Sequence, residues 1–150
     1  MDCTFCDIVA RRLPAEILWE NDRVIAILDM RPIHFGHALV MPKTHCTDFL
    51  SLPDGDLYDV LRTSQIISRA LVGELRAEGF NLFSNNGSCA GQTVFHFHIH
   101  ITPRYADDNI RFVLTLKRYQ RGAMSDYGER IRREIAASAQ KTIPSLHISS

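Results

Sequence analysis

Histidines alternate with apolar residues in the run His96-Phe97-His98-Ile99-His100. In an extended strand, alternate side chains share a face. Val94, His96, His98 and His100 would then line one side, and Phe95, Phe97, Ile99 and Ile101 the other. Successive imidazoles would stand roughly 6.6–6.8 Å apart. The second side is apolar enough for a core, and the first carries groups that can do chemistry. Neutral imidazole is a good nucleophile near pH 7, since its reference pKa is about 6.5. Attack on phosphorus would form a phosphoimidazole and divide one hard displacement into two easier ones. Flanking histidines can hold phosphate oxygens and offset developing charge. The middle residue, His98, is therefore the candidate nucleophile. A row of imidazoles is equally a candidate metal site.

Other residues of these types lie within reach. His37 and His45 sit in a strand-like stretch and just beyond it, so both can approach the run if the two strands are neighbours. Cys3 and Cys6 form a CxxC pair, a spacing that suits a metal or a redox disulfide. Just upstream of the histidines lies Gly91-Gln92-Thr93, with Asn85 and Ser88 nearby. Glycine lets backbone amides approach an anion closely, although such a stretch is more often an ordinary turn.

The elements that must position these residues follow from periodicity and punctuation. Phe5 to Val9 reads as a short helix or turn. Glu16–Glu20, Val24–Asp29, His37–Met41, Phe80–Ser84 and Val94–Thr102 read as strands, with prolines at Pro32, Pro42 and Pro103 ending three of them. Ser51 to Gly79 reads as one long helix. Its apolar residues Leu57, Val60, Leu61, Ile67, Leu71 and Leu75 recur near the helical period, with Ser51 as cap, Pro53 near the first turn and Gly79 as stop. Asp126 to Ala139 reads as a C-terminal helix with Ile131 and Ile135 facing inward, and the last ten residues as a tail. The result is an α+β fold: a mostly antiparallel sheet, one long covering helix and a C-terminal helix.

The chain has 150 residues with 17 basic and 17 acidic side chains. That length suits one domain, residues 1–150. Zero net charge argues against duplex nucleic acid or an anionic membrane as the main partner. No apolar run reaches the roughly 18 residues of a membrane span, and the N-terminus lacks a signal-peptide pattern. A cytoplasmic location with reduced thiols is the expectation.

The stretch Asn85-Asn86-Gly87 through Gly91-Gln92-Thr93-Val94-Phe95-His96-Phe97-His98-Ile99-His100-Ile101-Thr102-Pro103-Arg104 resembles the signature of the histidine triad family. Gly36-His37-Ala38-Leu39-Val40-Met41-Pro42-Lys43-Thr44-His45 resembles that family's upstream block, and Asp22-Arg23 and Asp29 fit its first strand. The resemblance spans residues 3–104, and the segment 105–150 carries no motif of it.

The resemblance implies a compact α+β unit that dimerises by pairing sheets across a two-fold. It also implies hydrolysis or transfer of nucleotides at the α-phosphate through a nucleotidyl-histidine intermediate. His98 would be the nucleophile, with His37 and His100 beside the phosphate. Gln92 and Thr93 would lie near the scissile bond, Thr93 replacing the serine of some members. Asn85 would contact phosphate or substrate. Asp29 would accept the ribose hydroxyls. Phe5, Ile8, Ile27 and Met30 would form the base pocket, although core packing explains them equally well.

Some bacterial members carry structural zinc on a set that maps to Cys3, Cys6, His45 and His96. The implied activity is that of a phosphoramidase-like hydrolase acting on purine nucleoside monophosphate esters, amides or anhydrides. The Asn85-Asn86-Gly87 loop is more similar to the bacterial Hint-like branch than to the diadenosine polyphosphate hydrolases. A non-catalytic nucleotide- or partner-binding module, and a metal-binding protein using the triad itself, are the alternatives.

Overall fold

The computed structural model describes residues 3–142, with side chains described to Ser138. The elements are α1 (Thr4–Val9), β1 (Ile17–Glu20), β2 (Val24–Leu28), β3 (Ala38–Pro42), α2 (Asp54–Glu74), β4 (Gly79–Phe83), β5 (Ile99–Arg104) and α3 (Ala123–Thr142). The chain divides into two compact units, Met1–Ile110 and Arg111–Ser150.

The first unit is an antiparallel five-stranded sheet in the order β1-β2-β3-β5-β4. Strands β2 and β3 are buried on both faces, which explains why they read as near-continuous apolar runs. Val24, Ala26, Ala38, Val40, Ile99 and Ile101 share one core with Val60, Ile67 and Leu71 of α2. Ile25, Ile27, Leu39 and Met41 point the other way and pack with Phe5 and Ile8 of α1. The α+β architecture expected from the sequence is the one found.

Several boundaries differ, each for a physical reason. The long helix runs from Asp54 to Glu74 rather than from Ser51 to Gly79. Ser51 belongs to a preceding 3-10 turn, where it forms a capping box with Asp48, and Pro53 occupies the cap of α2. After Leu75 the chain turns through Arg76 at φ 54°, so the helix stops without glycine, and Gly79 opens β4 instead.

The strand expected over Val94–Thr102 is Ile99–Arg104. Upstream of Ile99 the backbone leaves the ladder, since the Phe97 N–H donates to the Cys46 carbonyl at 2.7 Å. Phe95 is 49% exposed and does not join Phe97, Ile99 and Ile101 in the core. The strand passes through Pro103, which lies beyond the end of the β3–β5 ladder at Ile101. A missing donor costs little where one strand edge is unpaired.

In the second unit, α3 begins three residues earlier than the apolar periodicity suggested. Ile131 and Ile135 are 58% and 61% exposed, so their stripe is not a core face as expected. Residues 143–150, most of the expected tail, lie outside the described residues. Among the described residues, no helix is long and apolar enough to cross a membrane.

Candidate active site

Asp29 follows β2 and His37 precedes β3. The Asp29 N–H donates to the His37 carbonyl at 2.9 Å, so the β2–β3 pairing continues one step past Leu28 and Ala38. Gly36 makes the approach to His37 possible. Its φ is +89°, and a Cβ there would lie 2.6 Å from Leu75 Cδ1. Any other residue would strain the turn at this positive φ and require the Leu75 side chain to move.

On the adjacent strand, His100 pairs with Leu39 and stacks on the Phe83 ring at 4.7 Å. His37 Nε2 and His100 Nδ1 lie 3.0 Å apart. The Ile33 N–H donates to His37 Nδ1 at 3.2 Å. That bond leaves the proton of neutral His37 on Nε2, where it can be donated to His100 Nδ1. Asp29 Oδ1 accepts from the Arg31 N–H at 2.8 Å, and its Oδ2 lies 3.5 Å from His37 Nδ1.

His98 lies in the irregular segment just before β5. Its Nδ1 donates to the His96 carbonyl at 2.7 Å. A carbonyl only accepts, so the lone pair of neutral His98 is on Nε2. The ring stands edge-on to Phe5, with centroids 5.0 Å apart, and 4.7 Å from His100. Burial pushes the pKa of His37, His98 and His100 below the usual histidine range. For His100 the fall reaches about 4, driven by burial and then by charge on His98 and His37, with Asp29 opposing it. All three rings are therefore neutral at pH 7, the state in which Nε2 of His98 can attack.

His98 and His100 open on a cleft of about 370 Å³. Phe5, Ile8, Ile27, Asp29, Met30 and Thr93 also line it. Phe5, Ile8 and Ile27 are buried in its wall, whereas Met30 is 86% exposed. The cleft also takes in Thr4, Leu28, Arg31 and Leu39, which the sequence did not single out. His37, Asn85 and Gln92 are not among the lining residues. His37 stands behind His100.

Gln92 is buried, and its amide group is fully engaged: Nε2 donates to the carbonyls of Thr47 at 2.6 Å and Val94 at 3.1 Å, and Oε1 accepts from the Gly87 N–H at 2.8 Å. Asn85 Nδ2 reaches the Gly91 carbonyl at 3.4 Å. The amides of Ala90, Gly91 and Gln92 are bonded within the loop. This glycine-bearing stretch is thus an internally bonded turn, tied through Gln92 to the Thr47 carbonyl, that leads into Thr93 and Val94. The backbone groups of Ile33 and Pro42 also act on the histidines, and no side-chain signature announces such a role.

Next to the cleft, Cys3, Cys6, His45 and His96 bring their ligand atoms within 4.8 Å of one another. The Cys3 Sγ–His96 Nδ1, Cys6 Sγ–His45 Nδ1 and Cys6 Sγ–His96 Nδ1 separations are 3.4, 3.3 and 3.5 Å. Zinc bonds of about 2.3 Å to sulfur and about 2.0–2.1 Å to nitrogen give tetrahedral sulfur–nitrogen edges of about 3.5 Å. His96 Nε2 donates to the Pro42 carbonyl at 2.8 Å. That bond leaves Nδ1 unprotonated toward the thiols, as a ligating histidine requires. Burial, and then the neighbouring Cys3, push the Cys6 thiol pKa up. A divalent cation among the four would reverse that penalty. The residues therefore fit zinc, which would tie α1 to the His96–His98 segment.

The HIT domain family matches residues 10–107. The adenylylsulfatase HINT3 of Arabidopsis thaliana is 37% identical over 118 residues, which is 79% of this chain and 60% of that protein. A zinc-bound histidine triad family protein from Mycobacterium smegmatis superposes with a TM-score of 0.69 at 36% identity, covering 93% of this chain and 98% of that one. A histidine triad nucleotide-binding protein from Candida albicans superposes with a TM-score of 0.82 at 27% identity, covering 91% of this chain and 99% of that one.

Proposed function

The chain belongs to the HIT domain family, and from that premise we propose that it is a nucleotide hydrolase of the bacterial Hint-like branch. It cleaves purine nucleoside phosphoramidates, esters or mixed anhydrides at the α-phosphorus. The observation that carries this reading is the state of His98. Its Nδ1 proton is committed to the His96 carbonyl, and its Nε2 is free beside His100 at the cleft.

In the first step Nε2 of His98 attacks phosphorus. The nitrogen–phosphorus bond forms as the bond to the leaving group breaks, and the leaving group takes the electron pair and a proton from solvent, which the water of the second step returns. In the second step water adds to phosphorus and gives up a proton. The phosphoimidazole bond breaks, returning neutral His98 and the nucleoside monophosphate. His100, backed by His37, faces the phosphate oxygens.

Asp29 accepts the ribose hydroxyls, and Phe5, Ile8, Ile27 and Met30 hold the base. Thr93 lies toward the leaving group. Gln92 and Asn85 act by holding the loop that carries Thr93, because their amides are already bonded there. Cys3, Cys6, His45 and His96 would hold zinc, which would supply rigidity and take no part in the displacement. The adenylylsulfatase name of the Arabidopsis relative makes an adenylyl anhydride a substrate worth including in the assay.

Two further expectations belong to this reading. β4 is an edge strand, with Phe80 43% and Leu82 46% exposed. An apolar edge of that kind supports a homodimer that pairs sheets across β4. A Cys3–Cys6 pair that holds zinc rather than forming a disulfide suits a cytoplasmic location, where cysteines stay reduced.

The test is release of AMP from an adenosine phosphoramidate, adenylyl sulfate and diadenosine polyphosphates by wild type and His98→Ala. Release by wild type alone supports the reading, and the preferred substrate identifies the branch. Tight AMP binding with no release from any substrate would replace it with a binding module.

A further inference from the structure

Asp29 does not fit a simple division between nucleoside binding and phosphate chemistry. Its side chain is 21% exposed, and a ligand atom from each of Asp29, His37 and His100 falls within 4.8 Å of the others. Such a trio can be a chelate or a chain. Asp29 approaches Nδ1 of His37, whereas His100 approaches Nε2 of the same ring. His37 thus has a partner at each of its two nitrogens, which is the arrangement of a chain.

We propose that Asp29 is a positioning residue for the His37–His100 pair as well as a ribose acceptor, so that one carboxylate links nucleoside occupancy to the histidine facing the phosphate. This rests on the hydrolase reading above.

Each link has a partner that fixes it. The Arg31 N–H holds Asp29 Oδ1 and leaves Oδ2 toward His37. The Ile33 N–H holds neutral His37 with its proton on Nε2, directed at His100 Nδ1. Neutral His100 then carries its proton on Nε2. A further proton taken up on Nδ1 of His37 would displace the Ile33 N–H from that nitrogen and give Asp29 Oδ2 a donor. A carboxylate that orients a histidine, which in turn serves the reacting group, is a recurrent catalytic arrangement. Here the oriented ring is one histidine removed, and the carboxylate is exposed enough to accept a ribose diol as well. The ionisable groups facing His37 are Asp29 from the end of β2, His100 from β5 and His98 from the segment before β5.

The experiment is imidazole nitrogen NMR on the zinc-loaded full chain, comparing wild type, Asp29→Asn and Asp29→Glu. Asparagine keeps an oxygen for the Arg31 amide and removes the charge. Loss of an opposite charge at this range should weaken proton affinity at His37 and His100 by about tenfold or more, and Asp29→Glu should restore most of it. Coincident His37 and His100 titrations in wild type and Asp29→Asn would overturn the proposal. Should Asp29→Asn fail to fold, Asp29→Glu against wild type in the presence of saturating adenosine, which has the ribose and no phosphate, gives the same reading, since ribose contact must then move the His37 signal; an unmoved signal would overturn the proposal.

A kinetic arm uses an aryl phosphoramidate, which has no ribose. The chain predicts that Asp29→Asn lowers kcat on it by about tenfold. A carboxylate that only binds ribose predicts a raised KM for nucleoside substrates and no change here. If wild type releases nothing from any substrate, the hydrolase reading fails, while the NMR comparison still decides whether the chain exists.

Discussion

The neutral state of His100 has a measurable cost in acid. In the unfolded chain a histidine titrates near 6.5, whereas the buried His100 holds out to about 4. Above pH 6.5 the ring is neutral in both states, and this difference contributes nothing to the pH slope. Between 6.5 and 4 the unfolded chain binds a proton that the folded chain refuses, so stability rises with pH across that window and is lost as pH falls through it. At pH 4.5 the loss from this one residue is about 2.5 kcal/mol.

The perturbation is His100→Gln, which removes the titration and keeps a polar side chain. Urea unfolding of both proteins at pH 7.5 and 4.5 gives a double difference in which general acid destabilisation and zinc loss cancel. Whatever His100→Gln costs at pH 7.5, it should cost about 2.5 kcal/mol less at pH 4.5. A wild-type-to-variant gap that is the same at both pH values would refute the argument that burial keeps His100 neutral.

Zinc content by atomic spectroscopy should be one per chain, lost in Cys6→Ser with a lowered Tm and retained in His98→Ala; loss in His98→Ala instead would transfer the metal to the triad. Gln92→Ala removes bonds to Gly87, Thr47 and Val94 from a side chain that is 5% exposed. It should cost about 1–3 kcal/mol of stability and lower kcat more than it raises the AMP Kd; an unchanged kcat would remove Gln92 from the machinery. Phe97→Ala should cost about 3–5 kcal/mol in urea unfolding, and Phe95→Ala less than about 0.5 kcal/mol. Equal costs would put Phe95 in the core after all.

What the sequence by itself determined was the family and most of the elements. The alternation around His96, His98 and His100, the His37 block and the CxxC pair identified the residues that meet. The apolar runs of β2 and β3 and the period of α2 identified the elements that carry them, because burial on known faces leaves a mark at each position. What only the tertiary structure decided was how those residues divide the work. The triad is not a row on one strand face: His96 turns to the cysteines, His98 bonds back to the His96 carbonyl, and only His100 sits in the ladder. Gln92 and Asn85 brace a loop, whereas Asp29 meets both the cleft and His37. These outcomes depend on backbone groups: Cys46 O and Pro42 O, brought close by folding from far along the chain, and Ile33 N–H, placed by the turn that precedes His37. Every residue type but proline carries the same donor and acceptor, so their use leaves no trace in a one-dimensional pattern.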